Sequence, residues 1–552
     1  MYRVKANQGL MIINFNANGY YVLDDHKRVL NAYVENGKVY VDVNTQTRYI
    51  YFIKGGNEQL KDKVFTLSFP EDFKSVKYEN CEREEELKGN ILLNRENNSV
   101  SYIYSKREVS TPFYIELEYC YEGEGDNLVL GFFSDSEPNT VPKCHGSSLG
   151  GCGKYYSKGS FAIGFDPVYS DNTIVFINGD GECSNLVKIP TKLVGCHTLR
   201  LFVTERGLKL VFDSYTQPYE LKFPKNKGAI YLSASSGAKT SMIEIKSLRV
   251  YEGEVSEVEK VEKAGFNEVE IRNFRGIAYG KLSLDRVNVI IGANNAGKTT
   301  ILDSVFLLSD FYKRPPGFEN ALELLAYLHG VKKNNKKFIY RFYNTSLTPV
   351  IRGDDITLSI KDENVKPEGE AMSLYISQRL LPRYFKYIKD NWEEISNYSD
   401  VFTEIINEVN GTNNEKYITM TLEPFGGSYT FYLIREDKKR VRLRDIGEGV
   451  QTYLIVRILY EYLKPSIILW DDIESHLNPL LLGKVIAWFD DIPAQIVVTT
   501  HNLQVAKDIS KIGKCIAVDI DKEGKLKVKY IDDVEEYLNL GIDPRLLLRM
   551  VE

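Results

Sequence analysis

Two patterns of hydrophobic and polar residues divide the chain near residue 252. Up to that point apolar residues alternate with polar ones in short runs, as at residues 38–43 (KVYVDV), 114–119 (YIELEY), 199–203 (LRLFV) and 209–212 (KLVF). A period of two, with many β-branched and aromatic residues and with Gly, Asn, Asp and Pro clusters between the runs, is typical of half-buried strands. The first half of the chain is therefore predicted to be all-β.

A different pattern follows the charged stretch at residues 252–263 (EGEVSEVEKVEK), which we interpret as a linker or a bridging strand. Apolar strands now alternate with helical periodicity, which indicates an α/β domain. Residues 373–387 are predicted to be helical and residues 417–436 to form a hairpin. Sustained heptads are missing from this region, so we expect no long coiled coil.

The length of the chain predicts several domains, because 552 residues exceed what one hydrophobic core can hold. We expect a small β-rich domain at residues 1–88 and a β-sandwich at residues 89–252. A linker is expected at residues 253–265, followed by an α/β domain at residues 266–552. The α/β domain is expected to carry an α+β insertion at about residues 311–440.

Composition and charge narrow the class of protein. Hydrophobic residues make up 43% and charged residues 26% of the chain, as in ordinary globular proteins. The net charge of −6 gives no global reason to bind nucleic acid or an anionic membrane. The N-terminus lacks a charged segment leading into an apolar core, and no run of about 18 apolar residues occurs. We therefore expect a cytoplasmic protein with no membrane span.

The cysteines are concentrated in the predicted β half. Six lie there and one in the second half: Cys81, Cys120, Cys144, Cys152, Cys183, Cys196 and Cys515. Free buried thiols are the default in a cytoplasmic protein, although six cysteines in one β-rich region can also pair. The pairs Cys144-His145 and Cys196-His197 lack the short C-x-x-C spacing of structural zinc sites, which makes zinc the weakest alternative.

Residues 292–299 (GANNAGKT) form a complete phosphate-binding loop between the apolar run at 287–291 and a helical pattern from residue 300. The glycines allow backbone N–H groups to wrap around phosphate oxygens. Lys298 is expected to reach the β- and γ-phosphates and Thr299 to bind Mg²⁺. The nucleotide-binding residues predicted from this loop are Gly292, Asn294, Asn295, Ala296, Gly297, Lys298, Thr299 and Thr300.

Two further apolar strands end in polar residues. Asp471 and Asp472 directly follow the run at 466–470 (SIILW), and His501 directly follows the run at 494–500 (AQIVVTT). The carboxyl ends of parallel strands form one edge of a sheet, where ligands bind. We therefore predict that Asp471 holds Mg²⁺ and that Asp472 orients the hydrolytic water.

These motifs, taken in order, resemble those of the ABC ATPase superfamily. The matching stretches are residues 292–299 (Walker A), 443–451 (LRDIGEGVQ, signature), 468–479 (ILWDDIESHLNP, Walker B and D-loop) and 499–502 (TTHN, switch histidine). Residues 270–276 (EIRNFRG) resemble the opening strand of the RecF, OLD and structural-maintenance-of-chromosomes branch, which belongs to the AAA-family ATPases. The resemblance covers residues from about 266 to 520.

The resemblance implies a hydrolase that uses ATP and Mg²⁺ and forms an ATP-dependent homodimer. The signature of one subunit would close over the nucleotide bound by the Walker motifs of the other. In this scheme Gly447 and Gly449, at the start of a helix, clamp the γ-phosphate. His501 senses the same phosphate, Asp472 is the catalytic carboxylate, and Arg275 contacts the nucleotide.

Two departures from the family pattern affect the expected rate of ATP hydrolysis. Asp472 replaces the usual catalytic glutamate, and its shorter side chain withdraws the carboxylate by about 1 Å, which can cost on the order of a hundredfold. Asp445 or Ile446 stands where the signature normally has a serine. We therefore expect slow hydrolysis combined with ATP-dependent dimerisation. Glu474 is an alternative catalytic carboxylate that ranks behind Asp472.

Asp519-Ile520-Asp521 matches the D-x-D metal motif of the Toprim domain in OLD nucleases. Only about 30 residues follow it, which is too few for that domain. Residues 522–525 (KEGK) lie between two strand patterns, which favours a β-hairpin. A hairpin is therefore predicted here rather than a nuclease site.

The β half resembles the L-type lectins, which have the legume-like, concanavalin-type fold. The stretches that carry the resemblance are residues 149–153 (LGGCG), 161–166 (FAIGFD), 196–201 (CHTLRL), 230–237 (IYLSASSG) and 243–251 (IEIKSLRVY). The resemblance implies a jelly-roll sandwich of two antiparallel sheets. Residues 1–88 remain unassigned.

In that family a Glu-x-Asp pair, a following Asn or Asp and a downstream His hold the metals of the sugar site. Asp166 matches the aspartate, and Asp171 or Asn172 is the next possible ligand. Gly164 stands where the glutamate is expected, and no histidine follows before His197. Calcium at Asp166 is therefore one alternative, and a metal-free interaction sandwich is the favoured one.

Three functions follow from the sequence. The first is an ATPase whose dimerisation drives a conformational switch coupled to a lectin-like module that binds a glycan or a protein. The alternative is a DNA-associated or antiviral-defence ATPase of the OLD/RecF kind whose β domains bind a protein partner. The third is a nucleotide-binding scaffold with negligible hydrolysis.

Overall fold

The structure is a computed structural model of the chain. It describes residues 1–55, 64–79, 83–85, 87, 89–124, 127–133, 161–165, 173–177, 183–188, 192–220, 227–333, 335–361, 366–412 and 415–549. The calcium site expected at Asp166, with Asp171 or Asn172, lies outside these residues.

The chain begins with a small β unit. Its strands are β1 (Tyr2–Lys5), β2 (Gly9–Ile13), β3 (Tyr20–Leu23), β4 (Ala32–Glu35), β5 (Lys38–Val43) and β6 (Tyr49–Lys54). They form one sheet in the order β1-β6-β3 and another in the order β2-β5-β4. The two sheets enclose an apolar core that includes Met11, Val41 and Phe52.

The strands of the second unit are β7 (Leu67–Ser68), β8 (Phe73–Glu79), β9 (Arg83–Glu85), β10 (Ile91–Asn94), β11 (Ser99–Ser105), β12 (Val109–Ser110), β13 (Phe113–Gly123), β14 (Asn127–Phe133), β15 (Phe161–Phe165), β16 (Thr173–Ile177), β17 (Cys183–Lys188), β18 (Gly195–Thr204), β19 (Gly207–Phe212), β20 (Tyr215–Glu220), β21 (Lys227–Ser236) and β22 (Ser241–Glu252). In the described residues they form two antiparallel sheets. One has the order β10-β22-β13-β18-β19-β20, and the other has the order β17-β16-β15-β14-β21-β11-β8-β9.

A sandwich results, because the apolar faces of these two sheets share one core that includes Phe113, Leu130, Phe132 and Leu201. The expected all-β sandwich is thus present. Its sheets extend upstream of residue 89, because β8 pairs with β11 from Phe73 to Tyr78 and β7 pairs with β22. The strands β7, β8 and β9 therefore belong to the sandwich and not to the small β unit.

The charged stretch at 252–263 forms two short strands of the small β unit. These are β23 (Val255–Val258) and β24 (Glu262–Lys263). β23 pairs with β2 in parallel, and β24 pairs with β1. Of the two interpretations made from the sequence, the bridging strand is the one observed. The sandwich is consequently inserted between β6 and β23 of the small unit.

Of the two alternatives for the cysteines of the β half, the described residues show a disulfide for one pair. Cys120 and Cys196 lie directly opposite each other on β13 and β18 and are joined. Register explains the pairing, since facing residues of adjacent strands bring their Cβ atoms together. Cys515 is free and buried, as the default predicts.

A buried ionic network joins the small β unit to the sandwich. Arg249 of β22 donates to Glu116 of β13 at 2.6 Å and to Glu35 of β4 at 2.5 Å. The hydroxyls of Tyr40 and Tyr114 donate to the same Glu116 carboxylate at 2.9 and 2.7 Å. The carboxylates here could together ligate a metal ion, but the guanidinium lies among them and supplies the positive charge.

The third unit is the predicted α/β domain. Its strands are β25 (Glu268–Phe274), β26 (Ile277–Ser283), β27 (Val287–Ile291), β28 (Val350–Gly353), β29 (Ile356–Ser359), β30 (Ser373–Ile376), β31 (Tyr417–Phe425), β32 (Ser428–Arg435), β33 (Arg440–Arg442), β34 (Ile467–Trp470), β35 (Gln495–Thr499), β36 (Lys514–Ile520) and β37 (Leu526–Ile531). Its helices are α1 (Lys298–Asp310), α2 (Ala321–Leu328), α3 (Leu381–Asp390), α4 (Trp392–Ile395), α5 (Ser399–Asn410), α6 (Glu448–Leu463), α7 (Pro479–Asp491), α8 (Leu503–Ser510) and α9 (Val534–Asn539).

The central sheet has the order β30-β34-β35-β27-β36-β37, and all of its pairings are parallel except the last. β27, β34 and β35 are buried throughout, which explains why their sequences are apolar without alternation. The order β26-β25-β28-β29 describes a second, antiparallel sheet. The carboxyl ends of β27, β34 and β35 therefore lie at one edge of the central sheet.

Three details differ from or agree with the sequence predictions. The helix predicted over 373–387 is wrong in its first part, because Ser373–Ile376 pairs with β34 as a buried parallel strand. The expected insertion is not separate, since β28 and β30 complete the sheets of the domain. The hairpin predicted within 417–436 is confirmed by the pairing of β31 with β32.

Basic side chains of the small β unit contact the ends of two helices of the α/β domain. Arg3 and Arg48 donate to the carbonyls of Lys464 and Glu461, at the C-terminus of α6, at 2.7 and 2.8 Å. Lys27 donates to the carbonyl of Asp490, at the C-terminus of α7. Cations stabilise the negative end of a helix dipole and satisfy its unpaired carbonyls. The small unit is therefore fixed to the ends of both helices.

Across the part of the chain that the structure describes, the helices are too short or too polar to cross a membrane.

The Arg249 network leads to a stability prediction. Replacing Arg249 by Ala leaves the buried Glu116 carboxylate without its cation. We therefore expect the free energy of unfolding to fall by about 3–5 kcal/mol. Calorimetry of the whole chain should show that the midpoint temperature at which the β half unfolds is lowered by roughly 10 °C. The control is Arg107→Ala, because Arg107 pairs with Glu252 at the surface and should contribute less than about 1 kcal/mol. Equal shifts in the two variants would contradict the prediction.

Candidate functional site

The phosphate-binding loop lies between β27 and α1, as predicted. Gly297 is the N-cap of α1 with a φ of 90°, and no side chain caps the helix, so its first N–H groups face the loop. A Cβ on Gly292 would lie 2.4 Å from the carbonyl oxygen of Val518 on β36. Glycine is thus required at this position by close packing of the loop against the sheet.

Lys298 points back into this loop. Its Nζ donates to the carbonyls of Gly292 and Ala293 at 3.0 and 3.1 Å. Burial lowers the pKa of Lys298, while the nearby Asp472 and Asp471 oppose that shift. Among the described residues, the ammonium group forms no ion pair with a carboxylate, which suits it to bind an incoming phosphate.

Asp471 lies at the end of β34 and joins the loop to the neighbouring strand. It accepts hydrogen bonds from the hydroxyls of Thr299, at 3.1 Å, and of Thr499, at 2.7 Å. Burial raises the pKa of Asp471, and these two hydroxyls counteract the shift. A hydroxyl and a carboxylate oxygen side by side are the ligands that Mg²⁺ prefers. The residues present therefore fit the expected metal.

Asp472 and His501 face each other across the strand ends. The Oδ1 atom of Asp472 lies 3.4 Å from Nε2 of His501, and both side chains are partly exposed. Asp472 has a φ of 49°, a conformation that few residues other than glycine adopt. Its backbone N–H donates to the Thr499 hydroxyl at 2.8 Å, which holds the residue in place.

Glu474, the alternative carboxylate, has other partners. It accepts hydrogen bonds from the backbone N–H of His501 and from the hydroxyl of Thr500, both at 2.8 Å. Both carboxylate oxygens are thereby used to hold the segment that carries His501. This geometry suits Glu474 to support rather than to activate a water, which agrees with its lower rank in the sequence.

Arg275, for which a nucleotide contact is predicted, lies beside the helix that follows the phosphate-binding loop. Its guanidinium forms an ion pair with Asp303, a fully buried carboxylate on α1. His329 and the hydroxyl of Tyr375 contact the same carboxylate, each at 2.9 Å. Arg275 therefore links the opening strand β25 to the helix that follows the phosphate-binding loop.

The signature residues lie at the start of α6, away from the loop. Gly447 is the N-cap of this helix, and a Cβ there would meet no atom within 4 Å. A Cβ on Gly449 would lie 2.4 Å from the carbonyl of His476, so this glycine packs against the D-loop. The described hydrogen bonds and ion pairs do not connect Gly447 or Gly449 to the loop of the same chain.

Asp445 and Ile446, the two residues that stand where the signature normally has a serine, both make local contacts. Arg442 binds the carboxylate of Asp445 with two hydrogen bonds, of 2.6 and 2.8 Å. The carbonyl of Ile446 accepts a hydrogen bond from the Gln451 side chain at 2.7 Å. Both candidates for the serine position are therefore engaged in local contacts.

Two residues near the site were not predicted from the sequence. Gln378 follows β30, beside the strand that ends in Asp471, and its amide donates to the carbonyl of Ser475. Recognising β30 as a strand would have revealed it. Arg545 donates to the carbonyl of His501 at 2.8 Å. No local motif marks Arg545, because it is far from His501 in the sequence.

The D-x-D motif is part of a hairpin, as predicted. β36 and β37 pair antiparallel from Cys515↔Ile531 to Ile520↔Leu526. Asp519 is bound by Arg549 with hydrogen bonds of 2.8 and 3.1 Å. Its carboxylate thus has a cation partner already.

Family models match the C-terminal half of the chain. Residues 266–352 match the model described as AAA ATPase domain. Residues 358–506 match the model described as AAA domain, putative AbiEii toxin, Type IV TA system. The C-terminal half therefore carries AAA-family ATPase domains, which confirms the family expected from the sequence.

Similar solved structures fall into two groups. The SmcHead bound to the C-winged helix domain of ScpA is 15% identical and covers 49% of this chain and 99% of its own, with a TM-score of 0.35. Lectin II from Ulex europaeus is 10% identical and covers 34% of this chain and 99% of its own, with a TM-score of 0.26. The legume lectin-like domain from Entamoeba histolytica is 14% identical and covers 35% of this chain and 100% of its own, with a TM-score of 0.26. A search of curated proteins returned no match.

Loop packing leads to a binding prediction. Replacing Gly292 by Ala forces the loop away from Val518, so we expect the affinity for ATP to fall about tenfold or more. Titration with a fluorescent ATP analogue measures this. The control is Gly483→Ala, because a Cβ there meets open space within helix α7. Equal affinities in wild type and Gly292→Ala would show that the loop tolerates the added methyl group.

Proposed function

We propose that the protein is a slowly hydrolysing ATPase that works as an ATP-dependent switch. The observation that carries this proposal is the convergence of Lys298, Thr299, Asp471, Asp472 and His501 at one edge of the central sheet. The AAA-family ATPase domains supply the class of activity. The alternative role of a mere scaffold is not favoured, because metal-binding, water-orienting and phosphate-sensing groups all lie within one site.

Each of these residues has a proposed role. The loop from Gly292 to Thr300, with Asn294, Asn295 and Ala296, holds the phosphates through its backbone, and Lys298 binds the β- and γ-phosphates. Thr299 and Asp471 hold Mg²⁺, which neutralises phosphate charge. Asp472 orients the attacking water, and His501, 3.4 Å away, lies beside it. Glu474 holds the backbone of His501 in place.

The signature is proposed to act on the nucleotide of a second subunit. Gly447 and Gly449 line a cleft of about 710 Å³ with His476, Asn478 and Leu481 at the surface of the domain. This cleft exposes the N-terminus of α6, whose unpaired N–H groups favour an anion. A second copy that presents its bound γ-phosphate would complete the site, which makes an ATP-dependent homodimer the proposed state.

The β half is proposed to be the recognition module that this switch controls. The small β unit binds the C-terminal ends of α6 and α7, and the Arg249 network binds the sandwich to the small unit. A movement of the signature helix is thereby transmitted to the sandwich. Its ligand is a glycan or a protein, and calcium at Asp166 would favour a glycan.

The alternative is a DNA-associated or antiviral-defence ATPase of the OLD/RecF kind, in which the β half binds a protein. The description of one matched family as a putative AbiEii toxin of a type IV toxin–antitoxin system favours a defence role. Arg440 and Arg442 lie over the rings of Tyr432 and Phe425 beside the signature, and their guanidinium groups also pair with Glu423 and Asp445. A nucleic acid would have to displace these carboxylates to use this arginine and aromatic surface.

Substitutions at Asp472 test the proposed chemistry. Because glutamate extends the carboxylate by about 1 Å, Asp472→Glu should raise ATP turnover by about tenfold or more. Asp472→Asn should abolish turnover but retain ATP binding, whereas Lys298→Ala should lose both. Phosphate release and analogue titration measure the two properties. Turnover in Asp472→Asn equal to that of wild type would disprove the role, and stimulation of turnover by DNA would favour the alternative.

Substitution at Gly447 tests the composite site. A methyl group there meets no atom of its own subunit but faces the proposed partner nucleotide, so Gly447→Ala should weaken the ATP-dependent dimer about tenfold or more at unchanged ATP affinity. Sedimentation with ATP and Mg²⁺ measures it in an Asp472→Asn background, which prevents turnover. Lys298→Ala is the control that should stay monomeric. No ATP-dependent dimer in Asp472→Asn itself would overturn the clamp mechanism.

A further inference from the structure

Residues 543–549 lie over the ends of two strands that form the nucleotide site. Within this segment Pro544–Leu546 is a short 3-10 helix whose N-cap, Asp543, accepts a hydrogen bond from the backbone N–H of Arg545 at 2.9 Å. Leu547 packs into the core of the α/β domain. Arg545 reaches the end of β35, and Arg549 reaches Asp519 near the end of β36. The segment is therefore held to both strands by arginines.

The guanidinium of Arg545 is oriented by a side chain of its own segment. Asp543 accepts hydrogen bonds from its Nε and Nη2 atoms at 3.0 and 2.6 Å. This pair lowers the pKa of Asp543, so its carboxylate stays ionised. With two of its nitrogens fixed in this way, Arg545 directs the remaining one, Nη1, to the carbonyl of His501.

Hydrogen bonds therefore hold both peptide groups of His501. Its N–H donates to Glu474 at 2.8 Å, and its carbonyl accepts from Arg545 at 2.8 Å. These two contacts fix the backbone of His501 and therefore the position of its Cβ atom. From that position the imidazole reaches Asp472, with Nε2 at 3.4 Å from Oδ1.

We infer that Arg545 is a positioning residue for the switch, which holds the backbone of His501 so that its imidazole faces Asp472. This inference rests on the proposed function of His501. The contact of Arg545 with His501 offers a place for control, because its release would free the histidine without disturbing the phosphate-binding loop.

Steady-state kinetics give the first test. Arg545→Ala should lower kcat for ATP about tenfold or more while KM changes less than about twofold, because the loop that binds the nucleotide is intact. Arg545→Lys should restore part of kcat. The matched control is Arg549→Ala, which removes the other arginine of the segment without touching His501 and should keep kcat within about twofold of wild type. Equal losses in the two alanine variants would reduce the segment to a structural role and overturn the inference.

Histidine NMR gives a readout that does not need turnover. The chain has only six histidines, so ¹³C-labelled imidazoles can be assigned by single substitutions. On addition of Mg²⁺ and the non-hydrolysable analogue AMP-PNP, the His501 signal should shift in wild type and in Arg549→Ala. In Arg545→Ala it should broaden or shift differently. A wild type that binds the analogue but never hydrolyses ATP would refute the proposed hydrolysis alone, whereas an identical His501 signal in Arg545→Ala and wild type would refute the inference.

Discussion

The parallel pairing of β27 between β35 and β36 is the constraint on which the site depends. Val287 is in register with Ile496, and Asn288 with Lys514, so the loop after β27 emerges beside His501 on one side and Asp519 on the other. Asn288 is fully buried and fixes this register, because its amide donates to the carbonyls of Asp285 and Ile496. A buried amide with both donors satisfied permits one arrangement of the strands and penalises others.

Within that frame, the residues of the site are held by hydroxyl groups. Thr299 and Thr499 both donate to Asp471, and Thr499 also accepts from the backbone of Asp472. Desolvation alone would disfavour a charged Asp471, and the two hydroxyls offset part of that cost. The acidic pair is therefore arranged before any metal or nucleotide arrives, which reduces the reorganisation that binding requires.

The parts predicted from the sequence are those whose signals are local. The loop from 292 to 299, the carboxylates after β34 and the histidine after β35 follow from short motifs on apolar strands. β30 was mistaken for a helix, because four buried residues carry no usable periodicity and the helix α3 begins only at Leu381. Gln378 and Arg545 were missed, since their partners lie far away in sequence. For the same reason, the sequence did not reveal the Arg249 network or the membership of β7, β8 and β9 in the sandwich.

The insertion of the sandwich between β6 and β23 gives it two covalent attachments to the small β unit. The two connecting segments lie side by side where they join the sandwich, because β7 pairs with β22 at Leu67↔Val250. Tyr40 and Leu10 of the small unit pack there against Tyr114 and Tyr251 of the sandwich. A module joined by one flexible chain can rotate freely, but one joined by two adjacent chains and an apolar contact cannot. The two β units are therefore held together as one body, and that body contacts the C-terminal ends of α6 and α7 through Arg3, Arg48 and Lys27.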